Sequence, residues 1–260
     1  MRDCPAVTWV IDVDGVVWLA GTPIPGAPEA IRRLRDAGEQ VVFVSNNSGP
    51  TLAEYTSRLA TAGVDARPAD LVTSAQAAAS MLSPGQRAAV VGAEGIREAL
   101  TERGVAVVAP DAVPGPDAVV VGRSTTLDYD ELAAASAAIR NGARFVATNT
   151  DATYPTGDGP LPGAGAVVAF VATASGRQPE VAGKPHRAAA ELVRSRFGPP
   201  RVMIGDRPDT DGAFALAVGA PFALVLSGST TAADLPVTPA PTLVAADLAG
   251  AVEQLLAGTG

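Results

Sequence analysis

Short apolar runs recur along the chain, and each is closed by a polar or glycine-containing turn. Val7 to Ile11, Val41 to Val44, Ala88 to Val91, Ala118 to Val121, Arg144 to Ala147, Arg201 to Ile204 and Pro221 to Leu226 are short and nearly continuous. Rich in valine and isoleucine, they read as strands buried on both faces, the pattern of a parallel sheet. Between them, apolar residues fall every three or four positions. Residues 28–37 put Ala30, Ile31 and Leu34 on one face and stop at Gly38, and Thr51 caps a helix that runs to Ala62 before Gly63. Further helices are expected over 74–82, 95–103, 128–140, 166–174, 185–196, 210–218 and 247–256, with shorter strands at 70–72 and 105–108. Strand alternating with helix predicts an α/β fold with right-handed crossovers.

The first run ends abruptly in Asp12-Val13-Asp14-Gly15. In an open parallel sheet, ligands bind at the carboxyl ends of the strands. Taken alone, the two acids fit a hydrated strand end as well as a site. Other runs, however, end in or lead into equally reactive groups: Ser45-Asn46 after the second, Lys184 at a helix start, and Asp206 and Asp211 after Ile204. Carboxylates, a hydroxyl with backbone amides and one ammonium suit a phosphoryl group held beside a divalent metal. Asp12, Asp206 and a main-chain carbonyl are hard oxygen donors of the kind Mg²⁺ takes. Ser45, the amide of Asn46 and Lys184 can neutralise phosphate oxygens. One carboxylate can attack phosphorus while a second, two residues on, handles the proton.

Composition narrows the alternatives. The chain of 260 residues carries a formal charge of −8, a poor match for nucleic acid or an anionic membrane. The lone Cys4 excludes an internal disulfide and a cysteine metal cluster. Asp3, Asp12 and Asp14 interrupt any leader-like apolar stretch, and Ala164 to Ala174 is too short to span a bilayer, so a soluble cytoplasmic protein is expected. Among 19 cationic side chains, Lys184 is the single lysine. A position that stays lysine in an arginine-rich chain points to a need for a compact point charge rather than a planar fork. The only histidine, His186, excludes a histidine-rich metal site and reads as structural or solvent-facing. Val16-Val17-Trp18 breaks a calcium-loop pattern, no Gly-x-x-x-x-Gly-Lys-Ser/Thr run precedes a helix, and the glycines make no dinucleotide fingerprint.

Asp12-Val13-Asp14-Gly15, Ser45-Asn46-Asn47, Gly183-Lys184-Pro185 and Gly205-Asp206-Arg207-Pro208-Asp209-Thr210-Asp211 resemble, in order, the four motifs of the haloacid dehalogenase superfamily. Within it the sequence is similar to the NagD-like phosphatases of subfamily IIA, which include p-nitrophenyl phosphatase, phosphoglycolate phosphatase, pyridoxal phosphatase and glycerol-phosphate phosphatase members. The resemblance implies a Mg²⁺-dependent phosphatase acting on a small phosphorylated metabolite through an aspartyl-phosphate. Asp12 would be nucleophile and metal ligand. Asp14 would be the general acid/base, with its main-chain carbonyl also on the metal. Ser45 and the Asn46 amide would bind the phosphoryl group. Lys184 would stabilise nucleophile and phosphate, Asp206 would ligate the metal, and Asp211 would support the metal or its waters from behind. An acid at position 14 disfavours dehalogenation. Pro208 and Gly212 stand where relatives carry helix-friendly residues, which leaves the start of that helix open.

Ser45 and Lys184 are 139 positions apart, whereas a βαβ crossover needs only about 30 residues. The surplus coincides with a second α/β alternation. The expected organisation is a Rossmann-like parallel-sheet core from 1–82 and 181–260, with an inserted α/β cap over 83–180, of the C2 type by resemblance. The resemblance also implies closure of the cap over the core and pairing of two copies through their caps. Asn149 and Asp151 in the polar loop 148–163, and Arg123 at a strand end, are the candidates for selecting the substrate. The competing account of Asn149 and Asp151 is an Asx turn, that of Arg123 a solvated cation, and Trp18 is expected to pack. Alternatives to a phosphatase are a phosphotransferase or phosphomutase using the same aspartate, and a non-catalytic phosphometabolite-binding protein.

Overall fold

The apolar runs do become parallel strands. The computed structural model describes residues 7–258, so Asp3 and Cys4 lie outside the described residues. The chain divides into two compact units. One comprises Met1–Ser45, Thr56–Val72 and Ala190–Gly260 within the described range; the other comprises Asn46–Tyr55 and Thr73–Ala189.

The first unit is organised on a six-stranded sheet in the order Leu243–Ala245, Phe222–Val225, Val202–Gly205, Thr8–Asp12, Gln40–Ser45, Leu71–Thr73. Thr8–Asp12 lies centrally and pairs parallel on both sides, with Ile11 opposite Ile204 and Phe43. All five of its residues are buried, which is why it reads as a continuous apolar run rather than an alternating one. The helix Ala27–Asp36 buries Ala27, Ala30, Ile31 and Leu34, the stripe its spacing predicts, and carries Arg33 and Arg35 in its last turn. It packs against the helix Leu248–Ala257, whose first turn is capped by Asp247.

The second unit holds a five-stranded sheet in the order Glu180–Val181, Arg144–Ala147, Ala118–Val121, Arg87–Val91, Ala106–Val107, every pairing parallel. Val119, Val121, Phe145, Leu132, Val167 and Val171 belong to its core, where the helices Tyr129–Arg140 and Ala164–Ser175 pack. Asp128 caps the first of these, its Oδ1 accepting from the Glu131 N–H at 3.0 Å.

Several local features differ from the pattern-based expectation. The helix expected over 210–218 opens as a wide turn, Pro208–Gly212, and is α-helical only over Ala213–Val218. The cause is Asp211: its carboxylate accepts from the Arg207 N–H at 3.1 Å, and its own N–H donates to the Arg207 carbonyl at 2.7 Å. The helix expected from Pro185 starts at Arg187, because the His186 N–H turns back to the Gly183 carbonyl. The loop 148–163 contains a two-residue ribbon, Thr153–Tyr154 paired with Leu161–Pro162, and Trp18–Leu19 pairs in the same way with Thr22–Pro23. The edge strand Leu243–Ala245 was not expected; half-exposed and only three residues long, it carries little pattern.

Arg144 forks onto Glu180 on the neighbouring strand (Nε to Oε1 3.0 Å, Nη2 to Oε2 2.9 Å) and donates through Nη1 to the Met81 carbonyl at 2.9 Å. The hydrogen bond from Arg144 holds the Glu180 carboxyl below the usual glutamate range. A depressed carboxylate stabilises the fold above its unfolded pKa and loses that stabilisation as pH falls through the folded one. Arg144→Met is therefore expected to lower stability at neutral pH by up to about 1 kcal/mol, because the pair is solvent-screened. The difference between variant and wild type should shrink below about pH 4, leaving only the share due to Met81. Urea denaturation across pH checks this; a difference independent of pH would remove the ion pair as its source.

Candidate active site

Two carboxylates reach the site because their strands end there. Asp12 is the last residue of Thr8–Asp12, and Asp206 follows Val202–Gly205 on the adjacent strand. Asp211 is brought back by the Pro208–Gly212 turn. One carboxylate oxygen from each of Asp12, Asp206 and Asp211 lies within 4.8 Å of the others, and the residues are only 7 %, 1 % and 0 % exposed. Three carboxylates so close in a buried place repel strongly unless a cation or protons neutralise them. An all-oxygen, multiply charged donor set is what a hard divalent cation such as Mg²⁺ or Ca²⁺ requires, so these residues fit such an ion. Asp209 of the same motif stands apart. Burial pushes its carboxyl up, but the Arg207 fork (2.9 and 3.3 Å) outweighs it and leaves the group below the usual aspartate range.

The loop after Asp12 turns on the Val13 carbonyl, which accepts from the N–H groups of Val16, Val17 and Trp18. Asp14 is half-buried, and its Oδ1 accepts from the Trp18 indole N–H at 2.9 Å. Trp18 is buried as expected; its additional grip on Asp14 was not foreseen. Ser45 is buried at the end of Gln40–Ser45, the strand that places Val44 opposite Asp12.

Asp206 is boxed by backbone that sequence reasoning missed. The Ser229 N–H donates to its Oδ2 at 2.5 Å, and a Cβ on Gly228 would fall 2.1 Å from that same oxygen. A Cβ on Gly15 would fall 2.5 Å from it, at a φ of +87° that only glycine adopts freely. Ser227 Oγ donates to the Gly15 carbonyl at 2.8 Å and ties the two loops together. The signal was available: Ser227-Gly228-Ser229 follows Phe222–Val225 closely, at the same end of the same sheet.

The second unit gathers a different set. Lys184 is 5 % exposed, and its main chain is engaged by the Asn46 side chain. Asn46 also donates to Asp151 Oδ2 at 3.1 Å, and the Asn149 side chain donates to the Asn46 carbonyl at 2.6 Å while its Oδ1 accepts from the Asp151 N–H at 3.0 Å. The last contact is the Asx turn weighed above. Asn46, Lys184, Asn149 and Asp151 are thus brought together. Arg123 stacks on the loop that carries Asn149 and Asp151, its guanidinium 4.2 Å from the centroid of the Tyr154 ring and its Nε buried without a hydrogen-bond partner. It borders a mainly apolar cavity of about 430 Å³ lined by Leu127, Leu132, Leu161 and Phe170 among others. His186 is exposed, as expected.

Comparison with known proteins gives the family. Residues 9–106 match the family profile of haloacid dehalogenase-like hydrolases, and residues 181–251 match a second, HAD-hydrolase-like profile. An acid sugar phosphatase of Staphylococcus haemolyticus is 35% identical over 233 residues, covering 87% of this chain and 88% of its own. The chain belongs to the haloacid dehalogenase-like hydrolases. Within that family it falls in the NagD-like subfamily IIA, among the HAD-type phosphatases. The D-glycerol 3-phosphate phosphatase of Mycobacterium tuberculosis is 40% identical over 230 residues, 86% of this chain; the chain spans 64% of that longer relative. Structures of the Mycobacterium glycerol phosphate phosphatase in complex with calcium and with magnesium superpose with TM-scores of 0.87 and 0.86, at 37% and 38% identity, each covering 94% of this chain and 74% and 76% of theirs. A p-nitrophenyl phosphatase from Archaeoglobus fulgidus gives 0.87 at 30% identity, covering 96% of this chain and 100% of its own. The α/β fold of this hydrolase, with its Rossmann-like core, is that of its relatives. Among the described residues, no helix is long and apolar enough to cross a membrane.

Proposed function

We propose that this hydrolase is a Mg²⁺-dependent phosphatase that cleaves a small phosphomonoester through a phosphorylated Asp12. The observation that carries this is the buried cluster of Asp12, Asp206 and Asp211 at the strand ends, with Asp14 two residues beyond Asp12. An Asp12 oxygen attacks phosphorus, and the bond from phosphorus to the ester oxygen breaks. Asp14 gives its proton to the leaving oxygen, then takes one from the water that attacks the aspartyl-phosphate, which restores Asp12 and releases phosphate. The Trp18 indole holds Asp14 in place for both transfers. Asp12 and Asp206 would hold Mg²⁺ together with the Asp14 carbonyl, and Asp211 would back them. The bound ion would supply charge neutralisation at the phosphoryl oxygens. Ser45 and the Asn46 N–H would hold those oxygens, and Lys184 would balance the charge that builds on them.

The relatives are named for glycerol phosphate, sugar phosphates and p-nitrophenyl phosphate, which supports a small, compact ester as substrate. We assign residues 83–180 as the cap, with Arg123, Asn149 and Asp151 as its candidates for contacting the organic part of the substrate. The test is steady-state hydrolysis of p-nitrophenyl phosphate, followed by a screen of phosphorylated metabolites. Hydrolysis that requires Mg²⁺ and stops with EDTA is expected; release at the background rate under both conditions would overturn the proposal.

Lys184 gives a sharper prediction. An arginine fork is larger and planar, and at a buried position it does not reproduce the compact charge of an ammonium. Lys184→Arg is expected to lower kcat/KM by well over about tenfold. Full activity in the variant would take Lys184 out of the chemistry.

A further inference from the structure

Asn46 was expected to contribute only its backbone N–H, but its side chain has a different engagement. Oδ1 accepts from the Lys184 N–H at 2.8 Å, and Nδ2 donates to the Lys184 carbonyl at 3.1 Å. The second hydrogen of Nδ2 goes to Asp151 Oδ2, also at 3.1 Å. A primary amide is the side-chain group that offers a donor and an acceptor side by side, so it can pair with both main-chain groups of one residue. The flipped amide would face N–H against N–H at Lys184 and oxygen against carboxylate at Asp151, so the network admits one orientation.

The clip is itself held. The Asn46 carbonyl accepts from Ser74 Oγ and from Asn149 Nδ2, both at 2.6 Å. Gly183 makes room for it, since a Cβ there would fall 2.6 Å from Asn46 Oδ1 and 2.6 Å from the Thr148 carbonyl. The glycine before the lysine is thus explained by the asparagine after the serine. A buried lysine has a long, flexible stem, and fixing its Cα confines where the ammonium can reach.

We propose that Asn46 is the positioning residue for Lys184, and that it ties the lysine to the Asn149–Asp151 loop through Asp151. This rests on the role given to Lys184 above. It makes the Asn46 side chain a support that acts through Lys184 rather than a phosphate contact. It also makes Asp151 a partner of that support, so that a change in the loop is felt at the lysine.

The experiment is a double-mutant cycle in the Mg²⁺-dependent p-nitrophenyl phosphatase assay, with thermal unfolding of every variant. Asn46→Asp keeps the acceptor for the Lys184 N–H but loses the donor and sets two carboxylates face to face. We expect kcat to fall by about 30-fold or more, with a smaller change in KM. Adding Asp151→Asn returns a donor between the two positions and is expected to recover at least about fivefold of that loss. In a Lys184→Met background, Asn46→Asp should lower kcat by less than about twofold further, since the group it positions is gone. A merely structural asparagine would show neither the rescue nor the non-additivity. Asn46→Ser, which removes the amide without adding charge, serves if Asn46→Asp fails to fold. An undiminished penalty in the Lys184→Met background, or wild-type kcat in both Asn46 variants, would overturn the inference. Wild-type activity of Lys184→Met would instead overturn the role of Lys184, and the inference with it.

Discussion

Asp12→Asn is expected to lower phosphate release from p-nitrophenyl phosphate by at least about 10³-fold, because a neutral amide oxygen does not attack phosphorus. Lost activity alone would not separate a nucleophile from a residue that merely supports the fold. Charge supplies the separation. Oxygens of Asp12, Asp206 and Asp211 crowd within 4.8 Å of one another with almost no solvent. Without metal this is a site of self-repulsion, so neutralising one member should leave the metal-free protein as stable as wild type or more so. The gain in melting temperature on adding Mg²⁺ should shrink, since a cation has one fewer charge to meet. Inactivity, an unchanged or raised metal-free Tm and a reduced Mg²⁺ shift are expected together. Substantial turnover in the variant would exclude Asp12 as nucleophile, and a collapse of the metal-free Tm would mean that Asp12 acts as a structural group.

What the chain reveals in its sequence depends on how each residue acts. Thr8–Asp12 and Gln40–Ser45 are legible because burial on both faces leaves a run of apolar residues with no polar interruption. Asp12, Asp206 and Lys184 are legible as candidates because their charged side chains stand at ends of elements that the pattern already marks. Ser229 is not, because it contributes a backbone N–H, which every residue but proline has. Gly228 and Gly183 contribute the absence of a side chain, visible only once the neighbour filling that space is known. Asn46 was noticed for its backbone while its side chain was engaged with a residue 138 positions away. The paired segments Trp18–Leu19 and Thr22–Pro23 are too short for any period to show, and the Pro208–Gly212 turn depends on where Asp211 must point. Pattern thus finds the scaffold and the charged groups, but not the backbone and glycine contacts that aim them.

Gly228→Ala is the strongest test of that aiming. A Cβ at position 228 would lie 2.1 Å from Asp206 Oδ2 and 2.5 Å from its Cγ, closer than non-bonded Cβ contacts come. Gly15 closes the carboxylate in from a second direction, and the Ser229 N–H holds the same oxygen. The added methyl must therefore displace either Asp206 or the 227–229 loop. Gly228 does not have a positive φ, so the effect expected of alanine there is one of space. We expect the Mg²⁺ concentration for half-maximal activity to rise at least about tenfold, equivalent to about 1.4 kcal/mol. The Tm gain on Mg²⁺ addition should fall in step, a readout that needs no turnover. Overpacking should also lower metal-free stability by about 1–3 kcal/mol. Gly157→Ala, where nothing lies within 4 Å of the added carbon, should leave the Mg²⁺ dependence unchanged. If Gly228→Ala responds to Mg²⁺ as wild type does, by activity and by melting, then the 227–229 loop yields to the methyl and does not aim the Asp206 carboxylate.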